Sequence, residues 1–262
     1  MSSIILTLSG FIKYSIRSFF FKLGYDIKPR LNNETLVDMD ETQLALINSV
    51  KNFTLTSPER MIALINSLEY LVKNEISGSI VECGVWKGGS MMLVAKKLLE
   101  LKKTDCELYL FDTFEGTTKP SENDLDYLGN SMLDKWNKEF EGKKELPASA
   151  DFIPLEEVKK NLYSTGYPRE KIHFIKGKVE ETIPKNIPEE ISLLRLDTDW
   201  YESTKHELNH MFPKLKSGGI LIIDDYGHFQ GSKKAVDEYF EENKLPIFLS
   251  RIDYTGRLCV KP

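Results

Sequence analysis

Two acidic clusters close two apolar runs in the C-terminal third of the chain: Leu193-Leu194-Arg195-Leu196-Asp197-Thr198-Asp199 and Ile220-Leu221-Ile222-Ile223-Asp224-Asp225. Carboxylates that converge on one spot can hold a hard cation such as Mg²⁺ or Ca²⁺, which binds oxygen and keeps other positions for water or substrate. Asp197, Asp224 and Asp225 are the expected ligands. Asp199 follows Asp197 by two, so extended backbone would point both to one face, one as ligand and the other as a base. Helix caps and a salt bridge to Arg195 are the structural alternatives; a cap explains one acid at each strand end and leaves the second unexplained.

Three further motifs carry chemistry. In Val81-Glu82-Cys83-Gly84-Val85-Trp86-Lys87-Gly88-Gly89-Ser90 a glycine-rich turn lets a ligand approach the backbone at a strand end. It departs from GxGxxG, and Glu82 would repel a pyrophosphate; it suits a ligand with an ammonium group, such as the amino-acid moiety of S-adenosylmethionine. Asp112, at the end of Leu110-Phe111-Asp112, can accept hydrogen bonds from two ribose hydroxyls or cap the following turn. Gly177-Lys178-Val179-Glu180-Glu181-Thr182 fits a turn beside an adenine, with Val179 packing on the base. Of the histidines, His228 is either a substrate contact or spare ligand, or a plain loop residue. His206 and His210 read as surface residues, and His173 as core.

The acidic runs are short, β-rich and bounded by Pro188 and by Ser217-Gly218-Gly219, which reads as two buried parallel strands. A helix expected over 201–215 makes them a strand-helix-strand crossover, with neighbouring strands about 4.8 Å apart and their carboxyl ends together. Further strands are expected at 79–83, 107–112 and 172–176, with the acidic pair at 192–197 and 219–224 and a closing hairpin-like pair near 246–252 and 257–260. Helices are expected at 41–50, 58–73 and 91–101, the second opened by Ser57-Pro58-Glu59. This alternation predicts a doubly wound, Rossmann-like α/β sheet. The segment 117–154, with one helical stretch at 131–140, interrupts the rhythm and is expected to be a lid.

The 262 residues carry 41% hydrophobic and 29% charged side chains and a net charge of -5, which predicts a soluble globular protein with no affinity for nucleic acid. Cys83, Cys106 and Cys259 are odd in number and lie in apolar text, which predicts reduced thiols and a cytoplasmic location. Residues 1–35 are expected to form a separate basic amphipathic arm ahead of a single domain over 36–262. Lys13, Arg17, Lys22, Lys28 and Arg30 there alternate with Phe11, Ile12, Ile16 and Phe19 to Phe21. That pattern suits neither a signal peptide nor a span of about 20 apolar residues. Docking on this or another subunit, in a homo-oligomer such as a dimer, is favoured over contact of residues 1–30 with a membrane surface.

The text Thr56-Ser57-Pro58-Glu59-Arg60, Val81-Glu82-Cys83-Gly84-Val85, Phe111-Asp112-Thr113-Phe114-Glu115-Gly116, Leu196-Asp197-Thr198-Asp199-Trp200-Tyr201-Glu202-Ser203-Thr204 and Ile223-Asp224-Asp225-Tyr226-Gly227 resembles the macrocin O-methyltransferase (TylF) family. The resemblance implies a class I methyltransferase fold and Mg²⁺-dependent methyl transfer from S-adenosylmethionine to a sugar hydroxyl of a small-molecule or glycan acceptor. It also implies Asp197, Asp224 and Asp225 as metal ligands, Asp199 as general base, and Thr56, Ser57, Glu82, Gly84, Ser90, Asp112, Val179 and Asp197 beside the cofactor. The motifs alone leave two other readings open: methylation of a catechol, whose adjacent oxygens also chelate Mg²⁺, and a non-catalytic binding subunit of the same fold.

Overall fold

The computed structural model describes residues 39–140 and 152–262, which belong to one unit over Met39–Pro262. The arm expected over 1–35 and part of the expected lid lie outside the described residues. Two capped helices come first. In α1 (Glu41–Val50) the Asp40 carboxylate accepts from the Gln43 amide while the Gln43 side chain accepts from the Asp40 amide. In α2 (Pro58–Lys73) the Ser57 hydroxyl accepts from the Arg60 amide, and Met61, Leu64, Ile65, Leu68 and Leu71 form the buried stripe.

The sheet contains β1 (Ser79–Cys83), β2 (Leu108–Asp112), β3 (Ile172–Lys176), β4 (Ile191–Leu196), β5 (Leu215–Ile223), β6 (Ser250–Arg251) and β7 (Arg257–Val260). Their order is β3-β2-β1-β4-β5-β7-β6; the first five are parallel, and β7 is antiparallel to both β5 and β6. Strand order reverses between β1 and β4, and ligands of such sheets bind outside the carboxyl ends at that switch point. Every residue of β1 and β4 is buried, as expected of central strands covered on both faces.

Helices α3 (Gly89–Glu100), α4 (Met132–Phe140), α5 (Leu155–Tyr163), α6 (Val179–Thr182), α7 (Tyr201–Met211) and α8 (Gln230–Glu242) complete the α-helices among the described residues. The helix expected over 201–215 ends at Met211, because Pro213 belongs to a 3-10 turn, Phe212–Lys214, that feeds β5 four residues earlier than expected. The strand expected at 246–252 shrinks to two residues; it is an edge strand with Phe248 83% exposed beside it. His173 is not core: it stacks on Tyr109 near the edge of the sheet and pairs with Glu107 at 2.6 Å, its side chain 39% exposed. All three cysteines are free thiols. Among the described residues no helix is long and apolar enough to cross a membrane.

The first half of the 117–154 insertion is fastened over the strand ends. Asp124 is fully buried and accepts from the Ser121 amide and hydroxyl, each at 2.7 Å, and from the Tyr201 amide at 2.8 Å. The Trp200 indole donates to the Thr118 carbonyl, and the Gln230 amide to the Leu125 carbonyl. Those bonds tie the insertion to the first turns of α7 and α8.

Candidate active site

Strand register brings the motifs together. Glu82 of β1 lies opposite Arg195 of β4, and Leu196 lies opposite Ile223 of β5, so the acidic ends of β4 and β5 are neighbours. The Asp197 amide donates to the Cys83 carbonyl and the Asp224 amide to the Leu196 carbonyl, which extends the sheet by one rung at each acid.

Arg195 is 3% exposed and organises the carboxylates around it. Its Nη1 donates to Glu82 Oε1 and Asp197 Oδ2, each at 2.7 Å, and its Nη2 to Thr56 Oγ1 at 3.0 Å and Asp224 Oδ1 at 2.5 Å. The other oxygen of Asp224 pairs with Arg60, whose Nε donates to Asp253 at 3.0 Å. Glu82 keeps one oxygen, Oε2, buried with no hydrogen-bond partner among the described residues. Burial pushes its carboxyl up to about 8, outweighing an arginine that Asp197 and Asp224 also draw upon.

Asp197, Asp199 and Asp225 each offer a carboxylate oxygen within 4.8 Å of the others. Burial first, then the Asp199 and Asp197 charges, holds the Asp225 carboxyl well above the ordinary aspartate range. Hard oxygen donors crowded in this way fit a divalent cation. The structure differs from expectation in two respects. Asp199 is not extended: its φ of +67° turns the chain back, and its amide donates to Asp225 Oδ2 at 3.3 Å. That turn, rather than strand alternation, sets Asp199 beside Asp197. Asp224 stands apart from the trio because two guanidinium groups engage its oxygens. Thr198, between the two acids, donates to fully buried Glu207 at 2.9 Å, which anchors the turn from α7.

On the β1 side, Gly84 has a φ of +82°, and a Cβ there would lie 1.9 Å from the Asp197 carbonyl oxygen. Only glycine allows β1 and β4 to approach so closely. Asp112 accepts from the Val85 amide at 2.6 Å and the Trp86 amide at 3.2 Å through Oδ2, and from the Phe114 amide at 2.6 Å through Oδ1. It therefore caps the turns after β1 and β2, and it also faces the cavity.

That cavity, about 380 Å³, is lined by Thr56, Gly84, Ser90, Asp112 and Val179 together with Asp197, Asp199, Asp224, Asp225 and His228. Its size falls in the usual range for small-molecule sites. Ser57 and Glu82 are absent from its wall: Ser57 caps α2 and donates to Asp253 at 2.7 Å, and Glu82 is 1% exposed behind Gly84 in the chain. Sequence reasoning missed Trp86, Arg60 and Tyr254, all of which line the cavity. Trp86 holds a buried indole N–H with no partner among the described residues. Arg60 and Tyr254 lie outside the acidic motifs, and the pairing of Arg60 with Asp224 and Asp253 and of Tyr254 with His228 left no local signal.

The chain matches the family described as macrocin-O-methyltransferase (TylF) over residues 12–260. It is 29% identical over 203 residues to demethyldecarbamoylnovobiocin O-methyltransferase of Streptomyces niveus, covering 78% of this chain and 73% of that one. It is also 29% identical, with the same coverage, to 8-demethyl-8-(2,3-dimethoxy-alpha-L-rhamnosyl)-tetracenomycin-C 4'-O-methyltransferase of Streptomyces olivaceus. The solved O-methyltransferase NovP superposes with a TM-score of 0.70 at 26% identity, over 80% of this chain and 82% of its own. With the motifs at the sheet's switch point and the match over nearly the whole length, the chain belongs to the macrocin O-methyltransferase (TylF) family and is an O-methyltransferase.

Proposed function

We propose that this enzyme transfers a methyl group from S-adenosylmethionine to a hydroxyl oxygen of a sugar on a glycoside, glycan or natural product, with Mg²⁺ at the acidic strand ends. The observation that carries the reading is one cavity lined both by Gly84 and Asp112 and by the carboxylate trio Asp197, Asp199 and Asp225. The indole N–H of Trp86, buried at the cavity wall without a partner among the described residues, fits a ligand that brings a hydrogen-bond acceptor to the cofactor side. The relative whose name specifies a rhamnosyl group supports a sugar acceptor.

S-adenosylmethionine supplies an electrophilic methyl group, and Mg²⁺ supplies Lewis acidity at the acceptor oxygen. Moving a proton from an alcohol near pKa 16 to an aspartate near 4 is uphill by about 16 kcal/mol, so a carboxylate alone does not suffice. Asp199 takes the hydroxyl proton at a carboxylate oxygen, and its left-handed turn sets that carboxylate beside Asp197 and Asp225 at the cavity. Asp197 and Asp225 would hold the cation, a reading supported by the motif and by their place in the carboxylate trio, and Asp224, whose oxygens pair with Arg60 and Arg195, would be the third ligand. Asp112 would accept from the ribose hydroxyls, Val179 would pack on the adenine and Thr56 and Ser90 would line the cofactor side, while Ser57 orients Arg60 and Asp253.

Mg²⁺ titration calorimetry combined with turnover of labelled S-adenosylmethionine on a panel of glycosides tests these roles. Asp199→Asn is expected to keep Mg²⁺ affinity and lose roughly 10³-fold in turnover. Asp224→Asn is expected to lose Mg²⁺ affinity by about tenfold or more. Loss of metal binding in Asp199→Asn would move Asp199 into the ligand set and remove its role as base. Methyl transfer that survives EDTA would sink the metal.

A further inference from the structure

Three aromatic rings from separate segments meet beside the trio. Tyr127 of the insertion lies 5.3 Å from His228, centroid to centroid, and 6.5 Å from Tyr254; His228 and Tyr254 are 5.9 Å apart. The Tyr254 hydroxyl bonds His228 Nδ1 at 3.1 Å. His228 and Tyr254 line the cavity that holds the carboxylates, while Tyr127 is 58% and Tyr254 56% exposed, with Leu128 beside them at 70%. The cluster thus runs from the cavity wall out to the surface.

Each segment is stapled to the acidic motifs. A β-bridge joins Asp126 to Phe229, and the Gln230 side chain donates to the Asp126 carbonyl at 3.0 Å. The Gly227 amide donates to the Thr255 carbonyl, and a Cβ on Gly227 would lie 2.0 Å from the Tyr254 carbonyl oxygen. Thr255 Oγ1 donates to the Asp224 carbonyl at 2.7 Å. The rings are therefore held in fixed relation to the carboxylates, whereas an incidental surface aromatic has no such bracing. Exposed apolar surface contiguous with a polar cavity marks a binding face.

We propose that Tyr127 and Tyr254 form the acceptor wall of this enzyme, on which a pyranose ring packs its C–H face. His228 adds a polar contact through Nε2, which takes no hydrogen bond among the described residues. The inference rests on the methyl-transfer reading and extends it to the residues that select the acceptor. Ring C–H groups carry partial positive charge and meet the negative face of an aromatic ring, while the sugar hydroxyls at the ring edge stay available for reaction. A neutral, hydroxyl-rich ring is the ligand class this combination fits.

Saturation-transfer NMR on the full chain loaded with S-adenosylhomocysteine tests the wall, with methyl α-pyranosides of rhamnose, mannose, galactose and glucose as probes. At least one pyranoside is expected to receive saturation most strongly at its ring C–H protons. Tyr127→Ala and Tyr254→Ala are each expected to weaken it about fivefold or more, and Tyr254→Phe to retain wild-type affinity. Affinity for S-adenosylhomocysteine, measured in parallel, confirms that each variant is folded. The proposal is overturned if both alanine variants bind the pyranoside as the wild type does, or if the loaded wild type binds none of the four. Failure of the wild type to bind S-adenosylhomocysteine would instead overturn the methyl-transfer reading on which the wall rests.

Discussion

Glu82 and Asp224 pair with two guanidinium groups, those of buried Arg195 and of Arg60, whereas Asp197, Asp199 and Asp225 crowd three carboxylates within 4.8 Å, with Arg195 contacting Asp197. Both sets occupy the carboxyl ends of β1, β4 and β5. The first is paired with arginine, Glu82 through one oxygen only, and ties α2 to β1, β4 and β5; the second places more carboxylates than cations at the cavity. A sheet end built only to be stable would compensate every acid, since an unmatched buried carboxylate is expensive. The uncompensated set is where a cationic ligand gains most.

The contrast breaks most visibly at Arg195. Arg195→Met leaves Glu82, Asp197 and Asp224 without their shared cation in a buried setting, and a loss of about 3–5 kcal/mol in urea denaturation is expected. A loss below about 1 kcal/mol would show that the matched set does not hold the strand ends together.

Glu82 gives a second, pH-dependent measure. Its folded value of about 8 lies above its ordinary 4.5, chiefly through burial, so the folded protein keeps a proton that the unfolded chain releases between those limits. Stability from this group is fully present below about pH 4.5 and is lost as pH rises towards 8. Glu82→Gln cannot lose that proton. Its stability relative to the wild type should therefore climb between pH 5 and pH 8, by on the order of 3 kcal/mol in thermal or urea unfolding. A flat difference across that range would place Glu82 as a fully compensated ion pair.

Much of this arrangement was legible in the sequence, and the exceptions share a cause. β1 and β3 match their expected limits because each is a compact β-rich run bounded by polar or turn residues. The convergence of the two acidic clusters followed from the strand-helix-strand order alone. Helix α8 escaped notice because its start, Gln230-Gly231-Ser232, reads as loop, and only Ala235, Val236, Tyr239 and Phe240 mark its buried face further on. The turn at Asp199 is a left-handed aspartate held by tertiary contact with Asp225, which no local pattern announces. The Arg60 to Asp224 pair joins positions 164 residues apart, and such a partner choice is decided by packing rather than by spacing.

The finest test lies in the uncompensated set, where the sign should reverse. Asp225 is buried and its ionised form is opposed first by that burial and then by Asp199 and Asp197. Asp225→Asn keeps the shape, and the amide oxygen can still accept from the Asp199 amide, so the variant removes charge with little else. In EDTA at neutral pH it should be more stable than the wild type by about 1 kcal/mol, the opposite of the Arg195→Met result. Adding Mg²⁺ should then raise the melting temperature of the wild type and leave that of the variant unmoved, because a ligand stabilises only the folded state that binds it. A variant that is less stable than the wild type in EDTA would return Asp225 to the charge-matched set and leave the cavity without its excess of negative charge.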